Sequence, residues 1–218
     1  MINIAIDGPA GAGKSSVAKE VAARLGFIYV DTGALYRAIG VNALKNGIAT
    51  DDADAVVSIL PETKVELRYI NGAQRVILNG EDVSEEIRLP EASMAASNVS
   101  AIPAVREFLL DLQRDMAENN NVIMDGRDIG TVILPNAQYK FFLTASAEVR
   151  AERRYKELVE KGNTVDFDAL LAEIKQRDYN DSHRATAPLK QADDAVFVDS
   201  SNMTKEEVIE YIASAIKV

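Results

Sequence analysis

Short apolar runs alternate along the chain with longer segments in which apolar residues recur every three or four positions. The short runs predict strands at residues 3–7, 27–30, 122–124, 140–143 and 195–198. The longer segments predict helices at residues 15–25, 33–46, 104–119, 147–162, 168–182 and 205–217. Alternating strands and helices are typical of a parallel sheet that is covered by helices on both faces. The pattern therefore predicts an α/β fold whose five strands form one parallel sheet.

One segment departs from this alternation. Residues 64–70 and 74–78 alternate apolar with polar side chains on the two sides of Asn71-Gly72. Asn-Gly between two alternating runs is a strong signal for a β-hairpin turn. We therefore expect a small antiparallel insertion on a lobe separate from the parallel sheet.

Composition excludes several classes of protein. A chain of 218 residues with 47% hydrophobic content can bury one substantial core, which favours a single domain. Cysteine is absent, so disulfides and thiolate metal sites are excluded. Asp7 interrupts the first apolar stretch, and no run is long enough to span a membrane. We expect a soluble, cytoplasmic protein that binds no membrane.

The first predicted strand leads directly into a complete G-x-x-x-x-G-K-S phosphate loop, Gly8-Pro9-Ala10-Gly11-Ala12-Gly13-Lys14-Ser15. Its glycines permit positive φ angles and close backbone approach, and Ser15 and Ser16 open the following helix. In such a loop backbone N–H groups face a polyphosphate, and Lys14 can bridge its outer phosphates. The Ser15 hydroxyl is placed to ligate Mg²⁺. Residues 8–16 are therefore predicted to bind ATP together with Mg²⁺.

Phosphate loops occur in GTPases, ATPases, kinases and switches, so residues further along the chain must discriminate between these classes. The chain contains no Asn-Lys-x-Asp guanine motif, which excludes the ordinary GTPase interpretation. Asp-Thr-Gly-Ala-Leu-Tyr-Arg at residues 31–37 follows the second predicted strand, and Asp-Gly-Arg-Asp-Ile-Gly at 125–130 follows the third. Both lie at the carboxyl ends of strands, where ligands bind in open α/β sheets.

The chain is rich in arginine at these positions although it is acidic overall. A net charge of −10 argues against a nucleic-acid-binding surface, so an anionic substrate must be held by local clusters of Lys and Arg. Phosphoryl transfer onto a phosphate needs positioning and charge neutralisation rather than a general base. Guanidinium groups suit that task because they bind phosphate oxygens bidentately. The candidates are Arg37, Arg127, Arg150, Arg153, Arg154, Arg177 and Arg184, whereas His183 is the single histidine.

Together with the stretch Arg177-Asp178, Asp181, Arg184 and Ala187-Pro188-Leu189, these motifs resemble bacterial cytidylate kinases over essentially the whole chain. The resemblance implies a P-loop NTPase fold with a five-stranded parallel sheet. It also implies a monophosphate-binding lobe at about residues 33–118, with its β-insertion at about 64–83, and a mobile lid at about 150–187. The expected activity is transfer of the γ-phosphoryl group of ATP to CMP or dCMP in pyrimidine nucleotide metabolism. We expect a monomer, because the working surfaces of such an enzyme must hinge.

The resemblance also implies roles for individual residues. The expected catalytic residues are Lys14, Arg127, Arg153 and Arg184. Arg37 and Arg127 match residues that bind the CMP phosphate, and Asp181 and Arg184 match residues that contact the ribose. The expected substrate site comprises Thr32, Arg37, Ser97, Arg106, Arg127, Asp128, Arg177, Asp181 and Arg184. Thr32 stands where serine also occurs in relatives, and it keeps the hydroxyl group.

Ser97, Arg106 and Asp128 match the family residues that recognise cytosine. Cytosine offers an N4 donor beside the N3 and O2 acceptors, so a carboxylate and a guanidinium would form a complementary edge. Each has a structural alternative. Asp128 could instead pair with Arg127 or cap a helix, Arg106 could be a surface charge, and Ser97 has several serines nearby.

Further alternatives stay open at this point. Asp125 ends an apolar run and is expected to hold Mg²⁺, but an aspartate before a glycine also forms turns. Asp181 could cap a helix and Arg184 could be a surface charge. The spacing of Arg150, Arg153 and Arg154 fits either an exposed basic helix face or side chains that close over a triphosphate. A phosphate-loop kinase for another small acceptor, or a non-catalytic nucleotide switch, would share many of these features.

Overall fold

The computed structural model describes residues 1–70 and 73–217. Strands in this part of the chain are β1 Asn3–Asp7, β2 Ile28–Asp31, β3 Val65–Ile70, β4 Ala73–Leu78, β5 Glu81–Asp82, β6 Val122–Gly126, β7 Tyr139–Thr144 and β8 Val196–Asp199. The α-helices are α1 Lys14–Leu25, α2 Thr32–Lys45, α3 Ala53–Ile59, α4 Pro90–Ser100, α5 Pro103–Asn119, α6 Ala147–Glu160, α7 Phe167–His183 and α8 Lys205–Ala215. A short π-helix spans Ile129–Ile133.

A five-stranded parallel sheet has the strand order β2-β6-β1-β7-β8. The central strand β1 pairs in parallel with β6, where Ile6 lies opposite Asp125, and with β7, where Ile6 lies opposite Phe141. Ile4 and Ile6 are fully buried because a central strand is covered on both faces. All five predicted strands belong to this sheet, so the predicted fold class is confirmed.

By backbone contacts the chain forms two compact units. The first unit comprises Met1–Tyr29 and Asn119–Val218, and the second comprises Val30–Glu118. The first unit contains the phosphate loop and most of the parallel sheet. Residues i and i+2 of a strand point to the same face, so Ile4 and Ile6 share one core with apolar residues of α1 and α8.

The second unit is built on α2, α4 and a three-stranded sheet of order β3-β4-β5. A Cβ atom at Gly40 of α2 would lie 2.7 Å from the Cβ of Ala95 in α4, so only glycine permits this close approach of the two helices. The antiparallel pairing of β3 with β4 confirms the predicted hairpin strands. The predicted turn dipeptide Asn71-Gly72 lies outside the described residues.

Two α-helices of the described residues occur where no helix was predicted. Asp52 caps α3 by accepting a hydrogen bond from the Ala55 N–H at 3.1 Å. Helix α4 begins with Pro90, whose missing N–H is tolerated in the first turn. Its buried apolar residues include Ala92, Ala95 and Ala96, which give only a weak hydrophobic periodicity. No helix within the described residues is both long and apolar enough to cross a membrane.

Candidate active site

The phosphate loop joins the end of β1 to the start of α1. Gly11 and Gly13 have φ angles of 75° and 89°, which side-chain-bearing residues rarely adopt. A Cβ at Gly8 would lie 1.9 Å from the Leu143 carbonyl oxygen, so the loop passes directly against β7. Helix α1 begins at Lys14, with Gly13 as its N-cap. The loop thus directs a helix N-terminus at the site predicted for the phosphates.

Lys14 is buried within this loop, and its Nζ donates a 2.8 Å hydrogen bond to the Pro9 carbonyl. Burial lowers the pKa of Lys14 to about 7, and the nearby Arg127 acts in the same direction. Asp125 and Asp7 act in the opposite direction. A bound polyphosphate would add negative charge beside this amine and favour its ammonium form.

Asp125 lies inside β6 and joins two other elements. Its Oδ2 accepts a 2.8 Å hydrogen bond from the Ser15 hydroxyl, and its Oδ1 accepts a 2.9 Å bond from the Tyr29 hydroxyl. The turn interpretation of Asp125 is wrong, because the strand continues to Gly126. A carboxylate beside a hydroxyl provides the hard oxygen ligands that Mg²⁺ prefers, so the pair fits the predicted metal.

Asp7, the last residue of β1, holds the backbone of the segment that follows β6 through its side-chain carboxylate. The two carboxylate oxygens of Asp7 accept hydrogen bonds from the backbone N–H groups of Ile129 and Gly130, each at 2.7 Å. Burial raises the pKa of Asp7 to about 6, although these two hydrogen bonds act in the opposite direction. The Val132 and Ile133 N–H groups donate to the Asp128 carbonyl and form the π-helix.

Four of the predicted substrate residues form two ion pairs in the first unit. The Arg127 Nε donates to Asp181 at 2.8 Å, and Arg184 lies 3.6 Å from Asp128. Burial is the largest single effect and would raise the pKa of Asp181, but the charges of Arg127, Arg177 and Arg184 and the hydrogen bond from Arg127 together outweigh it, so the pKa lies below its usual value. Asp181 lies within α7 rather than at its start, and the Arg184 side chain is buried, so a capping role for Asp181 and a surface position for Arg184 are wrong. Asp128 stands at the N-cap position of the π-helix, but its side chain makes no capping hydrogen bond.

The three arginines of α6 have three different environments. Arg150 is buried and donates to the Ala10 carbonyl of the phosphate loop and to Asp178 of α7, both at 3.0 Å. The Arg153 Nη2 donates to the Ser200 carbonyl at 2.8 Å. Arg154 pairs with Glu157 on the same helix. An exposed basic face is therefore wrong for Arg150. Arg177 of α7 acts electrostatically on both Asp181 and Lys14.

In the second unit, α2 carries two of the predicted substrate residues. Asp31 caps this helix by accepting from the Ala34 N–H at 3.0 Å. The other oxygen of Asp31 accepts a 2.7 Å hydrogen bond from Arg37, whose side chain is part-buried. Thr32 is buried in the first turn of α2.

Arg106 of α5 is buried, so the interpretation as a surface charge is wrong. Its guanidinium lies 5.4 Å from the centre of the Tyr36 ring and donates a 3.2 Å hydrogen bond to the Ser100 carbonyl. A cation over a ring face is attracted by the negative charge of the π-system. Ser97 is half-buried on α4, and its carbonyl accepts from the Ser100 hydroxyl at 2.9 Å.

Sequence reasoning missed Asp7, Tyr29 and Asp178 as partners of the candidate site residues. Each acts through a contact that is distant in sequence: 122 residues separate Asp7 from Ile129, and 96 separate Tyr29 from Asp125. The available signal was a charged residue at the end of an apolar run, which Asp7 provides. Such a residue is buried only with polar partners, but its sequence position does not identify them.

A phosphate loop at the end of a central strand, a carboxylate on the adjacent strand and several ion-paired arginines define a phosphate-loop kinase. The family profile for cytidylate kinase matches residues 4–218. The chain is 54% identical over 211 residues to a cytidylate kinase of Caldicellulosiruptor saccharolyticus, covering 97% of this chain and 93% of that protein. A cytidylate kinase of Caldanaerobacter subterraneus subsp. tengcongensis is 53% identical, with 99% and 95% coverage. The chain belongs to the cytidylate kinase family and is an enzyme.

Solved structures also include similar folds. An uncharacterized protein from Eubacterium ventriosum superimposes with a TM-score of 0.50, covering 98% of this chain and 99% of that protein. Its sequence is only 14% identical, so the similarity concerns the fold alone.

Proposed function

We propose that the candidate residues of both units carry out the transfer of the γ-phosphoryl group of ATP to CMP or dCMP. This transfer is the reaction of the cytidylate kinase family, to which the chain belongs. The acceptor is itself a phosphate, so the protein needs to position two anions and to neutralise charge in the transition state. The observation that carries the proposal is the phosphate loop joined to Asp125 through the Ser15 hydroxyl.

On the donor side, residues 8–16 bind the ATP phosphates through backbone N–H groups and the N-terminus of α1. The Lys14 ammonium group neutralises negative charge on the γ-phosphoryl group during its transfer from ATP to the acceptor. Ser15 and Asp125 would hold Mg²⁺, which supplies further neutralisation of phosphate charge when bound. Arg153 completes the predicted catalytic set with Arg127 and Arg184.

On the acceptor side, Arg37 and Arg127 bind the CMP phosphate, while Asp181 and Arg184 contact the ribose. Ser97, Arg106 and Asp128 recognise cytosine, and Thr32 and Arg177 complete the site. The ion pairs of Arg127 with Asp181 and of Arg184 with Asp128 support this assignment, because they hold these side chains in defined positions.

The remaining expectations are also part of the proposal. The protein acts as a cytoplasmic monomer, and it binds neither nucleic acid nor membrane. Residues 30–118 form a compact unit that contains the predicted monophosphate-binding lobe. The predicted lid at about 150–187 includes α7 and most of α6, and its closure around both substrates excludes water from the reaction.

The acceptor class is tested with ATP and a panel of AMP, CMP, dCMP, UMP and GMP, with ADP formation followed by a coupled assay. We expect CMP and dCMP to give the highest kcat/KM. Turnover that is equal on all five nucleotides would contradict base recognition. ATP binding without turnover on any acceptor would instead indicate a nucleotide switch.

The role of Asp128 is tested by Asp128→Asn. A carboxylate can only accept hydrogen bonds, so it favours the N4 amine of cytosine and repels the O4 carbonyl of uracil, whereas asparagine can donate. We expect kcat/KM for CMP to fall by roughly 10- to 200-fold, with a smaller loss or a gain for UMP. ATP affinity should stay nearly unchanged. A loss by the same factor for both acceptors would assign Asp128 a structural role instead.

A further inference from the structure

Asp7 connects the two segments that carry the candidate donor and acceptor residues of the first unit. It is the last residue of β1 and directly precedes Gly8 of the phosphate loop. Its buried carboxylate accepts from two successive backbone N–H groups, those of Ile129 and Gly130, at 2.7 Å each. None of the roles assigned above belongs to Asp7.

The two hydrogen bonds fix the backbone next to Asp128. Ile129 follows Asp128 in the chain, so its N–H belongs to the peptide that leaves the Asp128 Cα. The Asp7 carboxylate holds this peptide group and the next one, and it thereby fixes the rotation of the backbone at Asp128. The rotation in turn sets the direction of the Cα–Cβ bond of Asp128, whose carboxylate lies 3.6 Å from Arg184.

Packing leaves this turn little freedom to move. A Cβ built at Gly130 would lie 3.3 Å from an Asp7 oxygen and 3.1 Å from the Cδ of Lys140. The Asp128 carbonyl also accepts the N–H groups of Val132 and Ile133 in the π-helix. The backbone on the carboxyl-terminal side of Asp128 is therefore held at both its N–H and its carbonyl groups.

We propose that Asp7 is a positioning residue for acceptor selection: it holds the Ile129 and Gly130 amides, aims the Asp128 carboxylate, and thereby sets the preference for CMP over UMP. The proposal rests on the assignment of Asp128 as the residue that recognises the base. Asp7 itself does not touch the acceptor in this scheme. It acts only through the direction of Asp128.

The test is Asp7→Asn, which preserves the shape of the side chain but leaves one oxygen to accept. Its NH₂ group would face one of the two N–H donors, so one hydrogen bond becomes a contact between donors. We expect the ratio of kcat/KM for CMP to kcat/KM for UMP to fall by roughly 3- to 10-fold, because small misplacements at a binding site have large effects on rate. Any change in ATP binding or in the folded fraction affects both acceptors equally and cancels in this ratio.

The matched control is Asp52→Asn. Asp52 also accepts a backbone N–H, at 3.1 Å, but it caps α3 and belongs to no proposed site. The ratio should stay at the wild-type value in this variant. If Asp7→Asn fails to fold, Gly130→Ala disturbs the same contact from the opposite side and should lower the ratio in the same direction, with folding checked by thermal melting.

A double-mutant cycle with Asp128→Asn separates positioning from other effects. If Asp7 acts through Asp128, adding Asp7→Asn to Asp128→Asn should leave the ratio nearly unchanged. A ratio that is unchanged by Asp7→Asn alone, with both kcat values reduced equally, would overturn the proposal. Failure of the base assignment is distinguishable, because Asp128→Asn alone would then leave the ratio at the wild-type value.

Discussion

The two units of the protein differ in the charges that they bury. Among the described residues, the first unit buries eight charged side chains, namely Asp7, Lys14, Asp125, Asp128, Lys140, Arg150, Asp181 and Arg184. The second unit buries one, Arg106, beside neutral polar residues such as Asn42 and Thr63. Both units have an extensive apolar core, so the difference does not arise from a lack of apolar residues.

Burying a charge costs free energy, so the difference in buried charge between the two units calls for an explanation. Transferring an ion into a protein interior costs several kcal/mol unless partners compensate, and well-packed apolar residues often serve stability better. The first unit supplies such partners, for example Asp178 for Arg150 and Asp194 for Lys140. We interpret the buried charges of the first unit as suited to the charge of the transferring phosphoryl group and to the acceptor contacts proposed for the same unit. The site residues proposed in the second unit all belong to the acceptor side.

The largest expected effect concerns Lys14→Ala in the first unit. Removing a preorganised charge from the transferring group should lower kcat by roughly 100-fold or more, with a smaller effect on substrate binding. Steady-state kinetics with ATP and CMP measure this loss, and circular dichroism checks the fold. Lys19→Ala, on an exposed position of α1, is the control and should keep wild-type kcat. A near-normal kcat for Lys14→Ala would contradict the assigned role.

A smaller and different effect is expected for Arg106→Ala, at the single buried charge among the described residues of the second unit. The guanidinium can donate to acceptors that cytosine and uracil partly share, so KM should rise for both CMP and UMP, by roughly 10-fold. The affinity for ATP should change by less than about twofold. Arg114→Ala on the same helix is the control. A main effect on kcat with unchanged KM would contradict an acceptor-binding role for Arg106.

The smallest effect concerns the pH dependence of ATP binding. The pKa of Lys14 is lowered to about 7, so above this pH a growing fraction of the free protein carries a neutral amine. MgATP favours the ammonium form, so binding takes up a proton and affinity falls as pH rises. Between pH 7 and 8.5 we expect a loss of roughly three- to tenfold.

Calorimetry in two buffers of different ionisation enthalpy measures this proton uptake, without an acceptor present. Lys14→Met removes the titrating group, so its ATP affinity should be weak but nearly independent of pH over the same range. Equal pH dependence in the two proteins would show that another group takes up the proton.

The phosphate loop and the parallel sheet were predictable because their signals are local. Eight successive residues identify the loop, and each strand of the sheet is a short apolar run bounded by polar residues. Helix α4 was not predicted, because its packing against α2 depends on small residues such as Ala95 and Gly40. Small side chains contribute little to a hydrophobic pattern, and the close approach that they permit appears only in the folded chain.

The partners of the candidate site residues were not predictable for a related reason. The pairing of Arg127 with Asp181 joins residues 54 positions apart, and the one of Arg150 with Asp178 joins residues 28 apart. A sequence shows which residues carry charge, but several carboxylates compete for each arginine. The burial of Arg150 could not be read from its spacing with Arg153 and Arg154, which fits an exposed face equally well.

Arg150 has a thermodynamic consequence beyond its geometry. One guanidinium donates both to the Ala10 carbonyl of the phosphate loop and to the Asp178 carboxylate of α7. The conformational free energies of the phosphate loop and of α7 therefore both depend on the contacts of Arg150. By reciprocity, if a nucleotide that displaces Ala10 weakens the attachment of α7, release of α7 must strengthen nucleotide binding by the same free energy. The phosphate loop and α7 are thus a linked pair of equilibria rather than two independent ones.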